Sequence, residues 1–429
     1  MFRMTVCFIF LIVLISQAAG RDFMLGTCVK WNSLRSERAY RDIVLDHFSV
    51  IVPEYEFKMY WVLPEPHITN YKNADSLVEF AMRNEKNFRG HAFVMIGESR
   101  SPKWFHEGDW EKKDMENVLK THIYRTADRF KGKVFAWDVV NEVFKRDGSL
   151  RSNVFTRVLG KNFIRKIYRW AHAADPDTKL FYNDYGICKS GPKSDAVYRM
   201  AHDFRKDNIP LHGIGFQMHL YVGGPKNNIP DFSDVAATIR KYANLGMEIH
   251  FTEVDVSLHG EVTQEKLEYQ GHIYAELMRV FLAHKNCSAF LVWGLTDKYT
   301  WIPGHTDGQY GAPCIFDSLY RPKPAFDSLM NVIDNFGENP PEAVLCGVNH
   351  TGLQYEIKNT SYAPGFGFRI ESLDGNQHSE SGYVYGSMLH LRVPVGGCYK
   401  VDIWPVHNDG GRMGVSFTDT VIAIHPLPW

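Results

Sequence analysis

The sequence predicts an α/β chain: a (β/α)8 TIM barrel followed by a small all-β, sandwich-like module. Three observations carry this. Short β-rich runs alternate with amphipathic helical stretches from Asp22 to about Asn335. Eight such runs follow one another at roughly 25 to 45 residues, each with enough chain behind it for a crossover helix. Beyond Asn339 the helical pattern stops and short alternating segments, divided by Gly, Asn and Asp, take over.

The candidate strands in order are Phe23–Val29, Phe48–Val52, His91–Ile96, Val134–Val139, Lys179–Asn183, Gly213–Gln217, Glu248–Glu253 and Ala289–Trp293. Between them Ala74–Asn84 and Lys161–Ala174 carry apolar residues at helical spacing. Alternating β and α over such a length implies a parallel sheet, and eight units favour a closed barrel. An open doubly wound sheet would call for a Gly-rich phosphate loop after the first strand, which is lacking; the Gly213-Ile-Gly215 pair is too little to serve as one. Asn335-Phe-Gly-Glu-Asn-Pro-Pro341 reads as a linker. After it, Gly365–Glu371, Tyr383–Val393 and Cys398–Ile403 read as strands of the second module. The division expected is 1–20 signal peptide, 21–338 barrel and 339–429 all-β module.

Residues 1–20 carry one charge, Arg3, then the apolar run Val6–Ile15 and the small residues Ser16-Gln-Ala-Ala-Gly20. That is the pattern of a signal peptide cleaved after about Gly20, and it implies a secreted, extracellular chain. The run is too short to span a bilayer, and no later segment is apolar for long enough, so no membrane association is expected. Without Cys7, six cysteines remain: Cys28, Cys188, Cys287, Cys314, Cys346 and Cys398. An oxidising compartment permits disulfides among them, with Cys346 and Cys398 a candidate pair inside the second module. None has zinc-knuckle spacing, so no metal is expected. Asn286, Asn349 and Asn359 head glycosylation acceptor tripeptides.

Charge narrows the partner. Lys plus Arg number 48 against 49 Asp plus Glu, which offers no footprint for nucleic acid. Aromatics make up 14% of the chain, a composition suited to stacking on sugar rings as well as to filling a core. In a parallel barrel the functional groups sit where strands end. Phe135-Ala-Trp-Asp-Val-Val-Asn-Glu142 ends the fourth strand on a carboxylate, and His250-Phe-Thr-Glu253-Val-Asp255 ends the seventh on another. Two glutamates facing across a barrel mouth meet the needs of glycoside hydrolysis: one gives a proton to the leaving oxygen, the other attacks or stabilises the sugar centre.

Trp137-Asp-Val-Val-Asn-Glu142 resembles the acid/base signature of glycoside hydrolase family 10, the endo-β-1,4-xylanase family, and Thr252-Glu-Val-Asp255 is similar to its nucleophile signature. The remaining elements follow in the family's order. They are Phe48–Lys58, Arg89-Gly-His91, Ser101-Pro-Lys-Trp104, Asn183-Asp-Tyr185, Gly213–Leu220, Val292-Trp-Gly-Leu-Thr-Asp297 through Trp301, Ile315-Phe-Asp317 and Lys323-Pro-Ala-Phe326. The resemblance implies a retaining enzyme with Glu253 as nucleophile and Glu142 as acid/base. It also implies Asn141, Gln217, His219 and Asp255 as catalytic support, with Asp255 orienting His219 and His219 partnering the nucleophile. Glu54, Lys58, His91, Trp104, Tyr185, Trp293 and Trp301 would bind substrate. Two carboxylates and water suffice, so no cofactor is implied; the partner is a β-1,4-linked polysaccharide, and a monomer is expected.

The chain departs from the family pattern at Tyr55 (usually Asn), Met59 (Trp), Ile96 (His), Gly186 (Asn) and Met218 (Ser). Several of these lie on the glycone side, where a lost donor to a sugar hydroxyl costs about 1–3 kcal/mol. The readings left open are an endo-β-1,4-xylanase, an endo-β-1,4-glucanase or mixed-specificity β-glycanase, and a silent carbohydrate-binding protein. The second module is either a carbohydrate-binding domain, with Trp404, Tyr383 and Tyr385 as a stacking face, or a plain structural unit.

Overall fold

The computed structural model describes residues 23–96 and 101–335, together with seven strands within 343–422. Eight strands pair in parallel in chain order: β1 (Met24–Val29), β2 (Val50–Pro53), β3 (Asn87–Met95), β4 (Ala136–Asn141), β5 (Lys179–Asp184), β6 (Gly213–Phe216), β7 (Glu248–His259) and β8 (Cys287–Val292). β8 pairs with both β7 and β1, which closes the sheet into a (β/α)8 barrel. Helices pack around it through one apolar stripe each. In the helix Phe163–Ala174, for instance, Phe163, Ile164, Ile167, Tyr168 and Ala171 are buried, a spacing that puts them on one face. The expected helix over 74–84 runs Lys72–Arg83 and packs in the same way.

Inside the barrel the filling is divided. Cys28, Val50, Val52, Ala289, Leu291 and Trp293, from β1, β2 and the β8 end, form one apolar cluster. A polar group fills the other part. Arg89 on β3 donates through Nε to Asp138 on β4 at 3.2 Å, and its Nη1 lies 2.6 Å from Nδ1 of His250 on β7. β3 and β7 are not neighbours, so this contact crosses the lumen. Arg89 and His250 are fully buried. Burial lowers the pKa of His250 to about 4, so its ring is neutral and can accept from the guanidinium. Burial alone would raise the Asp138 carboxyl, but the adjacent Arg89 guanidinium overrides it and holds the group below its usual range. The glycine before His91 is required by a close approach: a Cβ on Gly90 would lie 2.0 Å from the Trp137 ring.

Two strand boundaries differ from expectation for physical reasons. β3 begins at Asn87, ahead of the expected His91, because Arg89 and Gly90, poor strand formers in isolation, are paid for by the buried ion pair and the packing of Trp137. β7 continues to His259, past the expected Glu253, because short strands at His219–Val222 and Tyr310–Gly311 pair with its outer part. The disulfides expected among the cysteines are not formed among the described residues: Cys28, Cys188 and Cys314 are buried free thiols, and Cys287 is buried too. Asn286 is half-buried and its amide nitrogen donates to the carbonyl of Met247 at 3.2 Å, an engagement the acceptor tripeptide did not foretell.

Within 343–422, Ala343–Asn349, Gly352–Ile357 and Met388–Leu391 form one antiparallel sheet. Ser379–Val384, Gly365–Ser372, Cys398–Val406 and Phe417–Ile422 form another. The proposed signal peptide and linker residues 336–341 lie outside the described residues. So do the side chains of Cys346, Cys398, Asn349, Asn359, Tyr383, Tyr385 and Trp404.

Candidate active site

Glu142 follows directly on β4 and takes a left-handed backbone, φ 60°. Such a conformation is uncommon for a residue with a side chain and persists only when neighbours hold it. Here three contacts do so. The Glu142 N–H donates to the Asn183 carbonyl at 3.0 Å, Arg151 Nε donates to the Glu142 carbonyl at 2.9 Å, and the next N–H, Val143, donates to the Tyr182 hydroxyl at 3.1 Å. The Glu142 side chain accepts from Asn141 Nδ2 at 3.1 Å and Gln217 Nε2 at 3.2 Å.

Glu253 sits within β7, 5% exposed. Its Oε1 accepts from Asn183 Nδ2 at 2.6 Å, and its Oε2 lies 3.1 Å from His219 Nε2. Strand register accounts for the next link: His219 stands opposite Asp255, whose Oδ2 is 2.9 Å from His219 Nδ1. Asp255 Oδ2 also accepts from Trp301 Nε1 at 3.0 Å. Burial disfavours a charged imidazole, yet Asp255 and Glu253 beside it outweigh that cost and raise the His219 pKa to about 10. Burial likewise pushes Glu253 up, and the hydrogen bond from His219 brings it below its usual range. The outcome is an ionised, doubly held carboxylate.

The two sides are joined by amides. Asn141 Oδ1 accepts from Asn183 Nδ2 at 2.9 Å and Gln217 Nε2 at 3.2 Å. Asn183 Oδ1 accepts from Thr252 Oγ1 at 2.6 Å. Gly215 leaves the room this needs, since a Cβ there would lie 2.3 Å from Asn183 Oδ1.

The substrate-binding candidates fall into groups. His91 Nδ1 is 2.9 Å from Asp138 Oδ2, and its ring meets Trp293 edge-on at 5.4 Å between centroids. Trp293 and Trp301 both approach the His219 ring, at 6.4 and 5.0 Å. Glu54 and Lys58 are buried beside Tyr55, whose ring has the Lys58 ammonium at 5.1 Å and that of Lys30 at 5.4 Å. Lys30 also reaches Glu54 Oε1 at 3.5 Å. Tyr185 is half-buried at the β5 end. Trp104 stands apart: its Nε1 donates to the Leu63 carbonyl at 3.2 Å and its ring packs against Phe105 and Trp110.

Sequence reasoning placed Asn183 in the Asn183-Asp-Tyr185 element but gave it no role, although it ends an apolar strand run just as Asn141 does. Arg151 and Lys193 were also missed; they sit in loop and helix segments without a motif, and only the fold brings them to the mouth. Among the described residues no group of three or more His, Cys, Asp or Glu side chains is arranged to hold a metal ion. What the arrangement can do is acid/base and nucleophilic work with two carboxylates in unlike surroundings.

Comparison with known proteins agrees in kind. The chain is 33% identical over 322 residues to endo-1,4-beta-xylanase B of Thermotoga neapolitana, covering 75% of this chain and 88% of that one. It is 34% identical to endo-1,4-beta-xylanase 1 of Humicola insolens, covering 72% and 71%. The solved xylanase 10B of Thermotoga petrophila RKU-1, a complex with xylobiose, superposes with a TM-score of 0.70 at 32% identity, covering 75% of this chain and 96% of that chain. The profile of glycosyl hydrolase family 10 matches residues 14–332, so the chain belongs to that family and is a glycoside hydrolase.

Proposed function

We propose that the protein is a retaining endo-β-1,4-xylanase that cuts internal linkages of xylan by double displacement. The observation that carries the assignment of roles is the His219 contact: a charged imidazole keeps Glu253 ionised, while Glu142 takes its side-chain hydrogen bonds from neutral amides. Glu253 attacks the anomeric carbon as the bond to the leaving sugar breaks, and Glu142 gives its proton to the leaving oxygen. Water then gives a proton to Glu142 and its oxygen displaces Glu253 from the sugar. Asn141 donates to the sugar 2-hydroxyl, and His91, Glu54, Lys58, Trp104, Trp293 and Trp301 bind the glycone, with Tyr185 on the leaving-group side.

The signal-peptide pattern of residues 1–20 supports a secreted enzyme, with a catalytic domain at 21–338 and a small all-β module at 339–429. It acts as a monomer on a neutral polysaccharide. The test follows product configuration from xylan by NMR for the wild type and Glu253→Ala. β-Configured reducing ends and a dead variant are expected; α-configured ends would overturn retention.

Tyr55 and Ile96 favour one second reading, a glucan-cutting or mixed β-glycanase. Both replace sugar-bonding side chains of the family pattern, and Ile96 is a buried apolar group, 4% exposed. Initial rates on xylan and soluble cellulose separate the two, and faster cleavage of cellulose would displace the xylanase label.

A further inference from the structure

Arg151 makes two contacts that no reading of the motifs assigns. Its Nε donates to the Glu142 carbonyl at 2.9 Å, and its Nη2 donates to the Tyr185 hydroxyl at 2.6 Å. One planar guanidinium thus ties the left-handed turn that aims Glu142 to the aromatic ring at the end of β5. A guanidinium suits this because its donors lie in a fixed fork, so the distance and angle between the two acceptors are set together.

The Tyr185 ring is constrained from a second direction. The Lys193 ammonium lies 3.4 Å from its centroid, covering one face, so a sugar can stack only on the other. Lys193 is itself fixed: it is buried and paired with Asp184 Oδ1 at 2.6 Å, and Asp184 Oδ2 accepts from the Tyr182 hydroxyl at 2.6 Å. That same hydroxyl accepts the Val143 N–H, the other side of the Glu142 turn. Tyr185 and the backbone turn at Glu142 are therefore parts of one frame, closed by the Arg151 hydrogen bonds on one side and by the Lys193 cation–π contact with the Asp184 and Tyr182 bonds on the other.

We infer that Arg151 is a positioning residue for the leaving group: it sets the stacking ring of the leaving sugar and the acid/base carboxylate at a fixed mutual geometry. The inference rests on the proposed roles of Glu142 and Tyr185. It predicts a dependence on the leaving group that a merely structural arginine would lack. A sugar leaving group needs both the Tyr185 platform and a proton from Glu142. A dinitrophenolate needs neither, because it departs as a stable anion and the reaction then relies on Glu253 alone for bond formation.

The experiment compares kcat/KM of wild type, Arg151→Met and Arg151→Lys on xylotetraose and on dinitrophenyl β-xylobioside. For Arg151→Met the expected result is a loss of roughly 30-fold or more on xylotetraose with less than about 3-fold on the aryl glycoside. Arg151→Lys, which can satisfy one acceptor at a time, should fall between. Equal losses on both substrates would reduce Arg151 to a prop for the fold and overturn the inference. Unchanged rates on both would overturn it as well. A wild type inactive on both substrates would instead defeat the functional reading beneath it, a separate outcome.

Discussion

The two carboxylates at the barrel mouth are the same residue type, one just past β4 and one within β7, yet their surroundings differ in one decisive way. Glu253 faces an imidazole kept charged by Asp255, which in turn accepts the indole N–H of Trp301. Glu142 faces the amides of Asn141 and Gln217, which bring no charge. Arg151 and Asn183 hold its backbone. One carboxylate has a charged partner beside it, and the other takes its hydrogen bonds from uncharged donors. In the proposed mechanism, environment and not residue identity separates nucleophile from acid.

The largest expected effect tests whether Glu253 forms the bond to the sugar. Glu253→Ala should lower kcat on both xylan and an aryl xylobioside by about 10⁴-fold or more, since no other group can attack. Steady-state rates on the two substrates check this, and a variant retaining a tenth of wild-type activity would break the comparison. Glu142→Ala should cost about 10²–10⁴-fold on xylan. Its kcat/KM on the dinitrophenyl glycoside should change far less, because that leaving group takes no proton. If both substrates suffer alike, the two carboxylates do not differ in role.

Asn183 bridges the sides, donating to Glu253 Oε1 and Asn141 Oδ1 while accepting from Thr252. Asn183→Ala leaves buried partners unsatisfied and should cost about 1–3 kcal/mol. The loss should appear in kcat/KM on both substrate classes, with the melting temperature lowered as well. A variant with unchanged kinetics would sharpen the picture differently, leaving the two sides independent.

How much of this was legible beforehand follows from what a sequence can carry. All eight strands could be placed because each is an apolar run bounded by turn residues. Glu142, Glu253, His219 and Asp255 could be named because they close the apolar runs visible in the sequence, within recognisable motifs. β3 starts ahead of the expected His91: Arg89 breaks the apolar run, and only the lumen-crossing contact to His250 makes it interior. Arg151 and Lys193 were invisible for a related reason. Tyr185 is 34 residues from Arg151 and Asp184 is joined to Lys193 by a loop, and neither spacing nor hydropathy encodes contacts that the neighbouring ends of β4 and β5 create.

The subtlest test concerns the charge on His219. Its folded pKa, about 10, lies above the ordinary histidine value of about 6.5 expected in the unfolded chain. Below pH of about 6.5 the ring is protonated in both states and its attraction to Asp255 and Glu253 stabilises the fold in full. As pH rises toward 10 the unfolded chain has lost this proton while the folded chain must still retain it, so the contribution shrinks and is gone above 10. His219→Asn removes the titrating group but keeps a side chain able to hydrogen-bond. Melting temperatures from pH 6 to 10.5 should show the wild type ahead by a few degrees at the acid end, with the gap closing as pH rises. A gap that stays constant across the range would mean that His219 is neutral in the folded protein. Glu253 would then be held by the Asn183 amide alone, and the contrast between the two carboxylates would rest on hydrogen bonds.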